Sequence, residues 1–212
     1  MCGSLAVIAK SPEPGRVKTR LCPPCNPRQA AELAEAALRD TLAAVLATAC
    51  GRRLLVLDGE PGEWADPALE VIPQRGDTLD ERLAAAFEDA AGPTLLIGMD
   101  TPQVTPRLLE DGLRALAAPG AGAVLGPAPD GGFWAIGLRR PDARAFLGVP
   151  MSTARTGQAQ LARLRSLGLR VRLLPALRDV DLFEDARAAA EAGKGTRFEA
   201  AFRSLAIPAA AS

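Results

Sequence analysis

Short runs of apolar residues alternate along this chain with longer stretches in which apolar positions recur every three or four residues. The runs at Leu5–Ala9, Leu54–Leu57, Leu69–Ile72, Leu95–Ile97, Ala123–Gly126 and Leu169–Leu174 predict strands. Where such a run carries almost no polar alternation, as at Leu95-Leu96-Ile97, it predicts a strand covered on both faces. Phe133–Leu138 predicts one more strand after the turn Asp130-Gly131-Gly132, which reads as a hairpin or as a ligand-binding loop. Helical spacing predicts a helix over Arg28–Ala49, from Leu38, Leu42, Val45, Leu46 and Ala49. A second is expected over Leu79–Ala91, from Leu83 and Phe87. Further helical patterns cover Thr105–Ala117, Asp142–Leu147, Thr153–Leu167, a segment opening at Glu184-Asp185, and Thr196–Leu205. Asn26-Pro27, Asp80-Glu81 and Thr105-Pro106 supply the start signals. Strands alternating with helices predict an α/β fold with a mainly parallel sheet. With no repeat of fixed period and no internal linker, the expectation is one domain over residues 1–206 and a frayed tail at 207–212.

The stretch Thr94–Pro102, TLLIGMDTP, organises this pattern. Gly98 lets the backbone pass close to a neighbour and Pro102 stops the strand, so Asp100 is expected just past the carboxyl end of a central strand. Ligands of open α/β sheets bind there. A carboxylate in that place suits Mg²⁺ or Mn²⁺, which take hard oxygen ligands and share them with substrate phosphates. It equally suits a turn aspartate that caps the next helix.

Composition narrows the chemistry. The 212 residues are 48% hydrophobic and 24% charged, as expected of a globular protein. Lys and Arg (25) balance Asp and Glu (25), which argues against general nucleic-acid or membrane-surface binding. No apolar run reaches the length of a membrane span, and MCGSLAVIAK reads as a first strand, not a signal peptide, so a cytoplasmic location is expected. There is no histidine and no tyrosine. Histidine-based nucleophilic catalysis and histidine metal sites are thereby excluded, leaving carboxylates, cations, backbone amides and oxygen-bound metal.

The segment Lys10–Pro27 is long for a loop that follows a first strand. It carries Lys10, Arg16, Lys18 and Arg20, with Gly15 permitting close approach, and suits a phosphate-bearing ligand. The Walker A spacing is missing, and a solvated basic loop remains the plain alternative. Cys2, Cys22, Cys25 and Cys50 include one CxxC, Cys22-Pro23-Pro24-Cys25, in a proline-rich loop. Without a second CxxC they read as incidental thiols before a zinc or redox module. Asp100, Asp130 and the pair Asp179/Asp181 each follow or flank a predicted strand, so they can converge at one sheet edge opposite the basic loop.

In order along the chain, KSPEPGRVKTRL, RGDTLDERLAAAF, GMDTP, LGPAPDGGFWAIGL and DVDLFEDA resemble the bacterial DUF2064 family. The resemblance covers residues 5 to 190. That family is glycosyltransferase A-like, similar to nucleotide-diphospho-sugar transferases and to phospholactate guanylyltransferase. The resemblance implies a three-layer, Rossmann-like GT-A fold with a mainly parallel mixed sheet. It also implies a metal-dependent transferase with Mg²⁺ or Mn²⁺ as cofactor. Its partners would be a nucleotide-sugar or nucleoside triphosphate and an acceptor, with no nucleic acid and no membrane insertion. Lys10, Gly15, Lys18, Thr19 and Arg20 would hold the nucleotide. Asp100 would bind the metal in place of a DxD motif, here a single aspartate, with Asp181 as second ligand and Asp179 as a less direct candidate. Asp130, Gly131 and Gly132 would face the sugar or acceptor, and Asp100, Asp130 and Lys18 would carry the catalysis. Phe133-Trp134 departs from a place where such proteins often have tyrosine. Glycosyl transfer is the leading reading. Nucleotidyl transfer and a non-catalytic nucleotide-binding protein are the alternatives.

Overall fold

The computed structural model describes residues 3–205; Cys2 and the tail expected at 207–212 lie outside the described residues. Seven strands form one mixed sheet: β1 (Ser4–Lys10), β2 (Arg53–Asp58), β3 (Glu70–Pro73), β4 (Thr94–Gly98), β5 (Ala123–Pro127), β6 (Phe133–Leu138) and β7 (Val171–Leu173). Their order across the sheet is β3-β2-β1-β4-β6-β5-β7, which puts β4 at the centre. β1 pairs in parallel with β2 and β4, β2 with β3, and β5 with β7. Only β6 runs antiparallel, to β4 and β5. The β5–β6 pair is the hairpin read from Asp130-Gly131-Gly132, and it makes the sheet mixed.

Six helices accompany the sheet: α1 (Pro27–Ala47), α2 (Leu79–Ala90), α3 (Pro106–Ala117), α4 (Thr156–Ser166), α5 (Phe183–Ala192) and α6 (Arg197–Arg203). Side chains alternate between the two faces of a strand, and the core divides accordingly. Leu5, Val7, Leu55, Leu57, Leu95 and Ile97 pack on one face against Leu38, Leu42 and Val45 of α1 and Leu109 of α3. Ala6, Leu54, Val56 and Leu96 pack on the other against Leu83 and Phe87 of α2 and Leu164 of α4. Three layers result, and burying each leucine fully contributes about 1.5–3 kcal/mol. Both faces being covered is the physical reason for the unbroken apolar runs. A third cluster joins the outer side of α1, through Leu33 and Ala37, to Ala186 of α5 and Phe198 of α6.

Local chemistry sets the helix starts. The Asn26 side chain accepts from the Gln29 amide at 2.9 Å, and the Gln29 side chain accepts from the Asn26 amide at 2.9 Å, just before Pro27 opens α1. Thr105 accepts from the Leu108 amide at 3.3 Å ahead of Pro106 and α3.

Several boundaries differ from the sequence pattern. The helix expected over Asp142–Leu147 is a 3-10 turn at Ala143–Ala145, because Gly148 turns the chain at φ 75°. The helix expected from Thr153 begins at Thr156, since Ser152 is left-handed and the Thr153 and Arg155 amides bond to threonine hydroxyls. The first helix ends at Ala47, and the last spans only Arg197–Arg203. The late strand shrinks to Val171–Leu173, an edge strand paired only to β5. No helix among the described residues is long and apolar enough to cross a membrane.

Candidate active site

The order β3-β2-β1-β4 contains a reversal: the chain builds outward from β1 to β3, then returns to lay β4 on the other side of β1. Loops leaving β1 and β4 therefore diverge and open a crevice at the carboxyl ends of the strands. A cleft of about 880 Å³ lies there. The loops after β1, β3, β4 and β7 and the turn that enters β6 all reach this edge.

The basic loop is held by two apolar anchors in different cores. Val17 is buried in the cluster under α1, and Leu21 in the cluster between α1 and α5. Lys18, Thr19 and Arg20 are thereby suspended over the cleft. Lys18 adopts a left-handed backbone, φ 49°, uncommon for a residue with a side chain. Its own side chain is only 9% exposed. The ammonium lies 2.9 Å from Asp100 Oδ1 and donates a hydrogen bond to the Val180 carbonyl. Two residues on, Arg20 Nη1 meets Asp181 Oδ2 at 2.5 Å on the rim, where both side chains are exposed.

Asp100 follows β4 directly, as the pattern of TLLIGMDTP requires. Its Oδ1 is buried and receives no hydrogen bond of good geometry; the Lys18 ammonium faces it. The Val180 amide donates to the Asp100 carbonyl at 2.9 Å, which ties the loop after β7 to the turn after β4. Thr101 Oγ1 donates to Asp179 Oδ1 at 2.8 Å. Burial pushes the Asp179 carboxyl up to about 6; the Thr101 bond opposes the rise, the charges of Asp100 and Asp130 add to it, and Lys18 counteracts it. Asp179, the less direct candidate of the DVD pair, thus lies within the field of Asp100 and Asp130. Asp181 is engaged by Arg20.

The Asp130 turn enters β6, the neighbour of β4, and brings its charge close enough to act on Asp179. Asp130 Oδ1 accepts from the Gly132 amide at 2.8 Å. Gly131, at φ 91°, packs its backbone onto the segment before α4: a Cβ there would lie 2.0 Å from the Ala154 carbonyl oxygen. The Gly157 amide donates to the Gly131 carbonyl at 2.8 Å. Close backbone packing thus accounts for this glycine. Trp134 is buried, and its indole donates to the Pro175 carbonyl at 2.9 Å, which makes it a packing residue; Phe133 beside it is only half-buried and lines the cleft.

Of the residues singled out in the sequence, Lys10, Lys18, Thr19, Arg20, Asp100, Asp130, Gly132 and Asp181 line the cleft together. Gly15 and Gly131 do not border it. Asp58 and Gln74 carried no motif, Arg82 lay inside one without being singled out, and all three were missed. Asp58, at the end of β2, meets Arg82 at 3.1 Å, Arg16 at 3.9 Å and Lys10 at 4.0 Å. Gln74, after β3, bonds to the Ala9 carbonyl at 2.7 Å and accepts from Arg82 at 3.2 Å. RGDTLDER held the signal for Arg82, but nothing in it distinguished a helix-surface arginine from one turned into a cleft.

Cys22 and Cys25 are free thiols. Cys25 is buried in the cluster with Leu21 and Phe198, and burial raises its thiol above the ordinary value, the reverse of a reactive thiolate. Among the described residues, no three His, Cys, Asp or Glu side chains stand together as a metal cage. A divalent ion in this cleft would share its shell with water or with ligand oxygens. The donor set otherwise fits one: hard carboxylate oxygens on one wall, including the buried Asp100 Oδ1 without a well-formed hydrogen bond.

Solved structures share this fold. A protein of Desulfovibrio desulfuricans G20, described as a candidate nucleotide-diphospho-sugar transferase, is 26% identical with a TM-score of 0.84, over 95% of this chain and 94% of that one. The 2-C-methyl-D-erythritol 4-phosphate cytidylyltransferase of Thermus thermophilus is 18% identical with a TM-score of 0.56, over 91% and 99% of the two chains. A mannosyltransferase of Pyrobaculum calidifontis, solved with GDP-mannose and Mn²⁺, is 12% identical with a TM-score of 0.56, over 97% of this chain and 65% of that one. The fold is thus shared by nucleotidyl and glycosyl transferases. No curated protein matches the chain by sequence. Residues 33–153 match the model of a family described as uncharacterised proteins conserved in bacteria, DUF2064, and with more than half of its length matched the chain belongs to that family.

Proposed function

We propose that the protein is a metal-dependent transferase acting on a nucleotide-activated substrate, with glycosyl transfer from a nucleotide-sugar as its reaction. The observation that carries this reading is the juxtaposition of Lys18 and Arg20 with Asp100 and Asp181 across one cleft at the carboxyl ends of the strands. The likeness to the Desulfovibrio protein, which extends over nearly the whole chain, supports it.

Lys18, Thr19 and Arg20 bind the phosphates of the donor, and Lys10 and Gly15 belong to the same nucleotide-binding loop. Asp100 and Asp181 would hold Mg²⁺ or Mn²⁺, which supplies positive charge against the departing diphosphate. Asp130, at the turn into β6, takes the proton of the attacking hydroxyl, and Gly131 and Gly132 keep that carboxylate at the turn. The acceptor oxygen bonds to the anomeric carbon as the bond from that carbon to the phosphate oxygen breaks, and a nucleoside diphosphate leaves.

Charge distribution favours a hydroxyl acceptor over a phosphorylated one. The cations of the cleft, Lys10, Arg16, Lys18, Arg20 and Arg82, stand on the β1 loop and on α2. The wall beyond Asp130 offers Phe133, Met151, Ser152, Thr153 and Thr156, with hydroxyls and apolar surface and no Lys or Arg. Nucleotidyl transfer onto a phosphate-bearing acceptor would need a second group of cations there.

Thermal unfolding with a panel of nucleoside triphosphates, nucleotide-sugars and nucleoside diphosphates, each with and without Mn²⁺, tests the reading. Metal-dependent stabilisation by nucleotide-sugars and diphosphates is expected, followed by release of a nucleoside diphosphate when an acceptor is supplied. Stabilisation confined to triphosphates would turn the assignment to nucleotidyl transfer. Tight binding with no turnover across a broad set of hydroxyl acceptors would make the protein a nucleotide-binding accessory.

A further inference from the structure

The basic loop faces the carboxylates as two matched pairs. Lys18 holds Asp100 Oδ1 at 2.9 Å and Arg20 holds Asp181 at 2.5 Å, with only Thr19 between the two cations. Each carboxylate assigned to the metal is therefore already neutralised by a cation of the loop assigned to the phosphates. The inner pair is the consequential one. The Lys18 side chain is withdrawn from solvent, its ammonium is also bound to the Val180 carbonyl, and Asp100 Oδ1 is buried behind it. In such surroundings charges are weakly screened, and an ammonium and a divalent cation on one carboxylate oxygen repel strongly.

We propose that Lys18 is the resident counter-ion of Asp100, and that this carboxylate accepts a divalent cation only after nucleotide phosphates draw the ammonium away. The proposal rests on the nucleotide-binding reading above and adds an order to it: nucleotide first, metal second. Phosphate entering beside Thr19 competes for both loop cations at once. As Lys18 and Arg20 turn to it, Asp100 and Asp181 are released together, and the negative charge they recover is what attracts the metal. Without nucleotide, the site keeps its own cation and holds metal poorly. Coupling of this kind is reciprocal, so metal must strengthen nucleotide binding by the same factor.

The test is Mn²⁺ binding, followed by the electron paramagnetic resonance of free Mn²⁺, on the full chain. It is run without nucleotide and with saturating GDP or UDP, whichever raises the melting temperature. In the wild type, nucleotide should tighten Mn²⁺ binding about tenfold or more. Lys18→Met should bind Mn²⁺ about tenfold tighter than the wild type with no nucleotide present, and should lose most of the enhancement. Lys18→Arg, which keeps the charge, should stay weak. Asp100→Asn should lose Mn²⁺ binding in every background. If Lys18→Met does not fold, Lys18→Gln takes its place.

Equal Mn²⁺ affinity in wild type and Lys18→Met without nucleotide would overturn the proposal while leaving the nucleotide site intact, provided GDP or UDP still binds. Mn²⁺ binding to the wild type that is as tight without nucleotide as with it would overturn it too. Failure of the wild type to bind any nucleotide removes the functional reading and this inference with it.

Discussion

Thr101 Oγ1 donates a 2.8 Å hydrogen bond to Asp179 Oδ1, joining the turn after β4 to the loop after β7 across 78 residues of chain. The neighbouring bond from the Val180 amide to the Asp100 carbonyl, at 2.9 Å, closes the same seam. Together they carry the DVD segment, distant in sequence, to the carboxylate that ends the central strand.

This seam buries Asp179 among like charges, and stability should report it. Burial raises its carboxyl from 3.8 to about 6, so its contribution is fully present below 3.8 and is lost as pH climbs through 6. Asp179→Asn keeps an acceptor for Thr101 and never ionises. At pH 8 the variant should be more stable than the wild type by roughly 1–3 kcal/mol, with the gap closing near pH 4. Urea unfolding across that range is the measurement, and a gap independent of pH would refute the placement of Asp179.

Asp100→Asn should cost stability and metal response together. It leaves the Lys18 ammonium without its counter-charge. Because the Asp100 side chain is 38% exposed, the loss should be about 1–2 kcal/mol, short of the full penalty for breaking a buried pair. Nucleotide binding should persist while its dependence on Mn²⁺ disappears. Calorimetric titration with and without the metal would show whether the two separate.

Arg20→Gln should behave in the opposite way. Its partner Asp181 and Arg20 itself are both well exposed, so stability should change by less than about 1 kcal/mol. Nucleoside diphosphate affinity should fall about tenfold, since a charge-assisted contact to phosphate is lost. An unchanged affinity would remove Arg20 from the phosphate site.

Two glycines of the cleft loops should separate under substitution. Gly15→Ala places a methyl in open space at φ 80°, a conformational cost of about 1 kcal/mol. Gly131→Ala drives a methyl into the Ala154 carbonyl and should cost more than about 3 kcal/mol or prevent folding. Similar melting temperatures for both variants would show that the turn does not pack against the segment before α4 as described.

The residues themselves announced much of this. The unbroken runs at Leu54–Leu57 and Leu95–Ile97 mark strands buried on both faces, and both faces are covered by helices. Pro106 behind Thr105 and Pro27 behind Asn26 mark helix starts because a proline at the first helical position forgoes an amide that has no partner there. The pattern failed at Asp142–Leu147 and at Thr153–Thr156, where a left-handed Ser152 and the turn at Gly148 break up segments whose apolar spacing is helical. Spacing records which residues face a core, and it is silent on backbone handedness.

For the site, local signals along the chain settle which residue types stand at the ends of strands: Asp100 after β4, the cations after β1, Asp130 at the hairpin and the acidic pair after β7. Those signals are Gly98 and Pro102 around Asp100 and the turn residues Asp130-Gly131-Gly132. The pairings themselves arise from packing in three dimensions. That Lys18 turns inward to Asp100 while Arg20 turns outward to Asp181 follows from Val17 and Leu21 being anchored in separate cores. That Asp179 lies in the field of Asp100 follows from the Thr101 and Val180 bonds. Those relations depend on side-chain direction and on desolvation between residues 78 to 161 positions apart, neither of which a local pattern encodes.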